Sequence, residues 1–407
     1  METYFKMAWR NLWRNKKRTI ITIASIFFAI LLSLLMRAMQ KGTYSHMLHN
    51  VVQSYSGYIQ IQQKDFWDEK TIDYSFSNSD DLISKVNSID NVTLAVPRLE
   101  SFALASIGNK TKGALVIGID PNAEDQLTKL AQKLRKGKII DINSKGALVS
   151  ERLAKYLKLD VNDTVVLIGQ GYHGISAADK FVVEGIIKIP HPELDNKTIY
   201  LPLPVCQDFY STENMLTSIS LNLDNIEKMD KTIKEIETVL NNDEYAVKSW
   251  KEIMPELVQM IESDNASGLI FLILLYIIIA FGIFGTVLMM TAERKREFGV
   301  IIALGMQKLK LEIILITEMI IIGILGIISG IIASIPIILY FVYNPIKFSG
   351  ESAKAYEQFG FEAVMPFAWQ IDYFINQSLA VVVIIIIAII YPITSVTRIK
   401  VSKALRA

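Results

Sequence analysis

Four stretches of the chain run uncharged, or nearly so, for long enough to cross a bilayer: residues 19–36, 266–292, 313–346 and 379–397. About 20 apolar residues in a helix cover the hydrocarbon. The first stretch holds eleven Ile, Leu and Phe residues, each favouring insertion by about 0.3–0.6 kcal/mol at the centre of a span. The third is interrupted only by Glu318. Ahead of the first, Phe5, Trp9, Leu12 and Trp13 recur at spacings of three and four, opposite Arg10, Arg14, Lys17 and Arg18. That pattern predicts a helix lying in the headgroup layer, rings down and cations up. The first apolar run is longer than the core of a secretion signal, and RAMQKG follows it in place of a small-x-small cleavage site. It is therefore expected to stay as an anchor.

Between the first two runs the period changes. SGYIQIQ, GALVIGID, DTVVLIG, KFVVEGIIKI, KTIYLPLP and TSISLNL are short, β-branched and bounded by Gly, Pro or Asn, as strands are. DDLISKVNSI, NAEDQLTKLAQKLRK, SERLAKYLKL, NIEKMDKTIKEIETVL and KEIMPELVQMIES have helical spacing. Strands mixed with helices predict one large α+β domain.

Cations orient the whole. Lys6, Arg10, Arg14, Lys16, Lys17 and Arg18 precede the first span. Arg294, Lys295, Arg296, Lys308 and Lys310 follow the second, and Arg398, Lys400, Lys403 and Arg406 follow the fourth. Simple alternation puts all three groups on one side, which the positive-inside rule makes cytoplasmic. The expected organisation is a cytoplasmic amphipathic helix (1–18), a first span (19–39), an extracytoplasmic α+β domain (40–265) and a second span (266–292). A cytoplasmic loop with a short helix (293–312), a third span (313–346), an outer loop (347–377), a fourth span (378–397) and a cytoplasmic tail (398–407) complete it.

Composition adds exclusions. The 407 residues are 51% hydrophobic with a net charge of +1, which fits a membrane protein and gives no basis for binding nucleic acid. The lone cysteine, Cys206, allows no intrachain disulfide and reads as a buried apolar residue. GNKTKG at 108–113 lacks the spacing of a phosphate loop, so no ATP hydrolysis is expected of this chain. GQGYHG at 169–174 is not followed by a helix and reads as a tight turn between strands. His46 and His49 share a helical face, but two histidines without further ligands make a poor metal site. No catalytic residue, cofactor site or metal site is picked out.

Three features of the membrane part remain. In TAERKREFGVIIALGMQKLKLE the residues Val300, Ile301, Leu304 and Lys308 follow helical spacing behind a charged approach from Glu293 to Glu297. Such a helix either plugs into a groove on a soluble partner or rests in the headgroups. Glu318 lies about one turn inside the third span, where an Arg or Lys of the adjoining loop is its expected partner. Small residues Ser25, Ala29 and Ser33 in the first span, Gly282 and Gly285 in the second, and Gly326 and Gly330 in the third are candidate helix contacts.

At this point the chain resembles the MacB/FtsX-like ABC transporter permeases. MAWRNLWRNKKRTIIT looks like their N-terminus and ERKREFGVIIALGMQKLKLEII like the segment after their second span. The layout of one span, a large external domain and three further spans is similar over the whole chain. GYIQIQ after the first span points toward the lipoprotein-release (LolC/LolE-like) branch. The resemblance implies a bacterial inner-membrane permease with a MacB-type periplasmic core domain. It would work as a homo- or heterodimer on two cytoplasmic ABC ATPase subunits that bind ATP and Mg, with no cofactor on this chain. It implies docking of the ATPase by a coupling helix, at Glu293, Arg294, Arg296, Glu297, Phe298, Gly299, Leu304 and Gly305. ATP-driven closure would then be relayed outward by the long first and second helices, a mechanotransmission, to release lipoprotein cargo toward a periplasmic carrier. No ATPase domain is fused ahead of the first span, so the ATPase is expected on another chain. Efflux of a peptide, toxin or drug through a periplasmic adaptor, regulation of a cell-wall hydrolase, and a membrane sensor are the alternatives.

Overall fold

Three of the four apolar runs lie inside helices longer than themselves, and the third ends early for a local reason. The computed structural model describes residues 2–48, 52, 55–240, 244–358 and 363–399. His49 and the tail cations Lys400, Lys403 and Arg406 lie outside the described residues. Two compact units emerge. One holds Met1–Ser45, Ile261–Lys347 and Met365–Ala407; the other holds His46–Met260 and Phe348–Val364.

The first unit is helical. Its elements are α1 (Glu2–Arg14), α2 (Lys16–Met47), α3 (Pro255–Glu293), α4 (Lys295–Ala303), α5 (Lys308–Tyr343) and α6 (Ile371–Thr397). Four of them, α2, α3, α5 and α6, are long and apolar enough to cross a membrane. The third apolar run was expected to reach residue 346, but α5 stops at Tyr343. Pro345 has no N–H to give and disfavours helical geometry at Asn344 before it. Large apolar side chains on these helices stay uncovered by the chain itself: Phe271, Ile278 and Phe281 on α3 are each more than 60% exposed. Such faces are stable only against lipid or another apolar helix.

Glycine sets the closest approaches. A Cβ on Gly326 would lie 2.5 Å from Ile26 Cγ2, and one on Gly330 2.8 Å from Ile30 Cβ. The glycine pair of α5 therefore packs on α2 at close range, where Ile26, Ala29, Ile30 and Ser33 are fully buried. Ser25 is half-buried, and its Oγ is the nearest atom, at 4.0 Å, to a Cβ on Gly282. Gly285 is a correction: a Cβ there meets nothing within 4 Å, so it makes no close approach in this chain.

The second unit is built on a ten-stranded sheet. Its strands are β1 (Ile59–Gln63), β2 (Val92–Ile107), β3 (Lys110–Ile119), β4 (Leu134–Gly137) and β5 (Ala147–Ser150). The others are β6 (Thr164–Gln170), β7 (Ser176–Ile187), β8 (Thr198–Pro202), β9 (Ser218–Leu223) and β10 (Tyr245–Ser249). Their order is β10-β1-β9-β2-β3-β8-β5-β7-β4, with β6 pairing β2 and β7. Six of them close a ring, β2-β3-β8-β5-β7-β6-β2. The 16 residues of β2 make this possible: Arg98 to Ile107 pair with β3, while Ala103 to Ser106 also pair with β6. Closure removes edges that would otherwise invite a stray strand. Inward positions such as Ala103, Ala105, Val165, Leu167, Phe181 and Val183 are buried, and their neighbours Phe102, Leu104, Ile168 and Val182 are exposed. GQGYHG is the turn between β6 and β7, with His173 and Gly174 at positive φ.

One charge cluster is sealed in this domain. Arg98, fully buried, donates from Nε and Nη2 to both carboxylate oxygens of Glu124, at 2.9 and 2.7 Å. Its Nη1 donates to the carbonyl of Tyr55, whose hydroxyl donates to Glu100 at 2.9 Å. Burial pushes the Glu100 carboxyl above its ordinary range, an effect that Arg98 opposes. Glu124 is placed by the helix Pro121–Thr128, which Asp120 caps by accepting from the backbone of Asn122 and Ala123, with proline in the first turn.

Two stability outcomes are expected. Gly330→Leu forces α2 and α5 apart and lowers the thermal midpoint of the detergent-solubilised chain, at an overpacking cost of about 1–3 kcal/mol, whereas Gly285→Leu leaves that midpoint unchanged. Arg98→Met strands a buried carboxylate and destabilises the domain by about 3–5 kcal/mol. The double change Arg98→Met with Glu124→Leu recovers most of that loss in the same denaturation measurement.

Candidate coupling site

The short helix α4 hangs between two spans, and its posture is set from both ends. At its start the helical hydrogen bonds barely lapse: Arg294 N–H donates to Met290 and Phe298 N–H to Arg294. At its end Met306 N–H reaches Ile301 and Gly305 N–H reaches Ile302, the crossed pair of a Schellman stop. Gly305 has φ 97°, a left-handed geometry that glycine adopts without strain. The turn then delivers the chain to α5 at Lys308.

The eight residues expected to couple fall into distinct places. Phe298 is fully buried in a small cluster with Leu311, Leu315, Val396 and Ile399. Gly299 is buried beside it. Arg294 turns inward and donates from Nη1 to Glu318 Oε2 at 2.6 Å, and its guanidinium carbon stands 5.1 Å from the centroid of the Phe298 ring. Glu293 and Glu297 are ion-paired with Arg18 and Arg14 at the start of the chain. Gly305 makes the turn. Arg296 and Leu304 remain, exposed on the outside, with Val300 between them. At spacings of four these three line one stripe, in which Leu304 is 82% exposed. The expected docking surface is thus corrected: Arg294, Phe298 and Gly299 are covered by the chain itself and hold α4 in place. Arg296, Val300 and Leu304 are left exposed, as are Glu293, Glu297 and Gly305.

The amphipathic helix is corrected in the same way. Phe5, Trp9 and Trp13 are exposed, the two tryptophans edge to face at 5.8 Å between centroids. Leu12 leaves their stripe: with Ala8 it is buried in the hydrophobic core of the helical unit. From the same helix Asn11 donates to the second oxygen of Glu318, at 2.7 Å. Glu318 therefore has the basic partner expected of it and a second one, Asn11, that no short-range pattern indicates.

The large domain contains a cavity of about 350 Å³ walled by Phe66, Trp67, Phe102 and Leu194, with Glu100 and His191 also lining it. The His191 Nδ1 atom is buried without a hydrogen-bond partner, and burial holds that imidazole below its ordinary pKa, hence neutral at pH 7. Among the described residues no group of three or more His, Cys, Asp or Glu is placed to hold a metal ion.

Four helices apolar enough to span, an α/β domain inserted after the first, a short helix after the second and no phosphate loop in the sequence are the layout of a membrane permease. Two family models match in tandem: the MacB-like periplasmic core domain over residues 19–239 and the FtsX-like permease C-terminal over residues 269–401. The first alone spans more than half of the chain, which belongs to the MacB/FtsX-like ABC transporter permeases. Among curated proteins, the lipoprotein-releasing system transmembrane protein LolC of Xylella fastidiosa, in strains 9a5c and Temecula1, is 25% identical over 324 residues, covering 77% of each chain. Among solved structures, the periplasmic region of MacB from Actinobacillus actinomycetemcomitans aligns with 12% identity and a TM-score of 0.36, over 52% of this chain and 95% of that one. The extracellular domain of the ABC-type transporter YknZ from Gram-positive bacteria aligns with 17% identity and a TM-score of 0.34, over 47% and 100%.

Proposed function

We propose that this permease is driven by a separate cytoplasmic ATPase dimer docked on the stripe Arg296–Val300–Leu304, and that its work is the release of lipoproteins from the inner membrane. The observation that carries the docking is the asymmetry of α4. A helix merely resting in the headgroups needs an apolar side toward lipid and nothing else. Here the inner side is bolted down by Phe298 and by charged pairs, and a leucine stands 82% exposed on the other. An exposed apolar anchor on a rigid support is what a partner's groove takes up. In this reading, which the basic segments support, this face and both termini lie in the cytoplasm and the large domain lies outside.

Lipoprotein release rests on the likeness to LolC over most of the chain. In this reading the uncovered face of α3, with Phe271, Ile278 and Phe281, meets a second permease subunit, identical or related. Cargo acyl chains enter the apolar cleft between them. The aromatic-walled cavity of the large domain suits an amphipathic segment of cargo on its way to a periplasmic carrier. ATP and Mg stay on the ATPase; this chain transmits the stroke.

Leu304→Asp is expected to abolish co-purification of the ATPase from detergent while leaving membrane insertion intact; an intact complex removes the docking claim. In whole cells an impermeant amine reagent is expected to reach Lys129 and spare Lys295, and the reverse pattern overturns the orientation. Mass spectrometry of the purified complex is expected to find lipidated protein; a peptide or drug with an adaptor instead would assign the chain to efflux.

A further inference from the structure

Glu318 sits buried among the spanning helices with one donor on each carboxylate oxygen. The donors come from two different elements, Asn11 on α1 and Arg294 where α3 meets α4. They are 307 and 24 residues away along the chain. Two more ion pairs, Arg14 with Glu297 and Arg18 with Glu293, run between the same parts of the chain on the exposed side. Neutralising one buried carboxylate needs a single cation. The extra donor, and the gathering of three elements on one carboxyl group, exceed that need.

We propose that Asn11, Arg294 and Glu318 are positioning residues that lock α1, α4 and α5 into one rigid body, so that a push on α4 is delivered into the third span instead of being absorbed at the junction of α3 and α4. The path continues by packing. Gly326 lies two turns beyond Glu318 and Gly330 three, at about 1.5 Å of rise per residue, and both pack directly on α2, against the side chains of Ile26 and Ile30. Contacts this close have no slack, so motion of α5 is felt by α2 directly. Exposed pairs such as Arg14–Glu297 contribute little by themselves in water. The buried carboxylate decides, because removing its partner leaves a charge that nothing else can solvate.

This inference rests on the ATPase-driven reading above, and its test separates the two. The full chain, reconstituted in membranes with its ATPase, carries a nitroxide on a cysteine replacing Tyr343, which is 80% exposed at the far end of α5. The native Cys206 is buried, and burial raises its thiol pKa, so it does not compete for label. ATP with vanadate is expected to change the spectrum of the otherwise unaltered chain. Glu318→Gln keeps the shape and removes the charge. It is expected to retain the ATPase and its hydrolysis but to lose the spectral change about tenfold or more. Asn11→Ala, which leaves the Arg294 pair standing, gives a partial loss, and Glu312→Gln on the same helix gives none. Full retention of the change in Glu318→Gln overturns the proposal and leaves the ATPase-driven reading intact; no change in the unaltered chain overturns that reading itself. Should Glu318→Gln fail to fold, Asn11→Ala decides, and an undiminished change there overturns the proposal.

Discussion

An ionised carboxylate among spanning helices has no water to turn to, and a charge left alone at such depth costs several kcal/mol. Glu318 meets that constraint by drawing Arg294 from one side and Asn11 from the other. Much of the geometry at this end of the helical unit follows. Arg294 must face inward, so α4 starts with its cationic neighbours Lys295 and Arg296 outward. Asn11 must reach α5, so α1 lies with Ala8 and Leu12 buried and its tryptophans exposed. The exposed stripe Arg296–Val300–Leu304 lies opposite the side of α4 on which Phe298 is buried.

The large domain solves a different problem. A mixed sheet of ten strands exposes edges, and this one closes six strands on themselves through the long bend of β2. The polar side chains buried in this domain are met by Arg98, with a fork on Glu124, a bond to the Tyr55 carbonyl and the neighbourhood of Glu100. In each unit one buried charged side chain, Glu318 or Arg98, gathers elements that are distant in the chain. The planar fork of Arg98 takes both oxygens of the Glu124 carboxylate and keeps a further donor for the Tyr55 carbonyl, a geometry that a lysine ammonium does not match.

Local pattern found most of the elements. Alternating β-branched runs such as DTVVLIG and TSISLNL are strands, and the helical periods at 150–159 and 225–240 hold helices. It missed β2, whose VTLAVPRLESFALASI mixes helix-favouring Leu and Ala with a proline and two charges. Proline is tolerated there because Pro97 sits in a register where tertiary pairing, with Ile219, overrides propensity. The strand β5 is four residues, too short to show a period. For the segment after the second span the helix was in view, but not which of its residues faced out: at 100° per residue Phe298 and Val300 point apart, and only the packing of α5 and α6 says which side is covered.

By itself the sequence determined the lack of a phosphate loop, which is a matter of motif spacing, and the number and order of the spans and the membrane class, which follow from the free energy of moving apolar or charged groups between water and hydrocarbon. That energy is additive along the chain and needs no knowledge of neighbours. Tertiary structure alone decided that Asn11 and Arg294 share Glu318, that Gly326 and Gly330 rather than Gly285 make the close contact, and that six strands form a ring. Those are pair properties of residues up to three hundred positions apart, set by shape and by the cost of an unpaired polar group, and no local pattern encodes them.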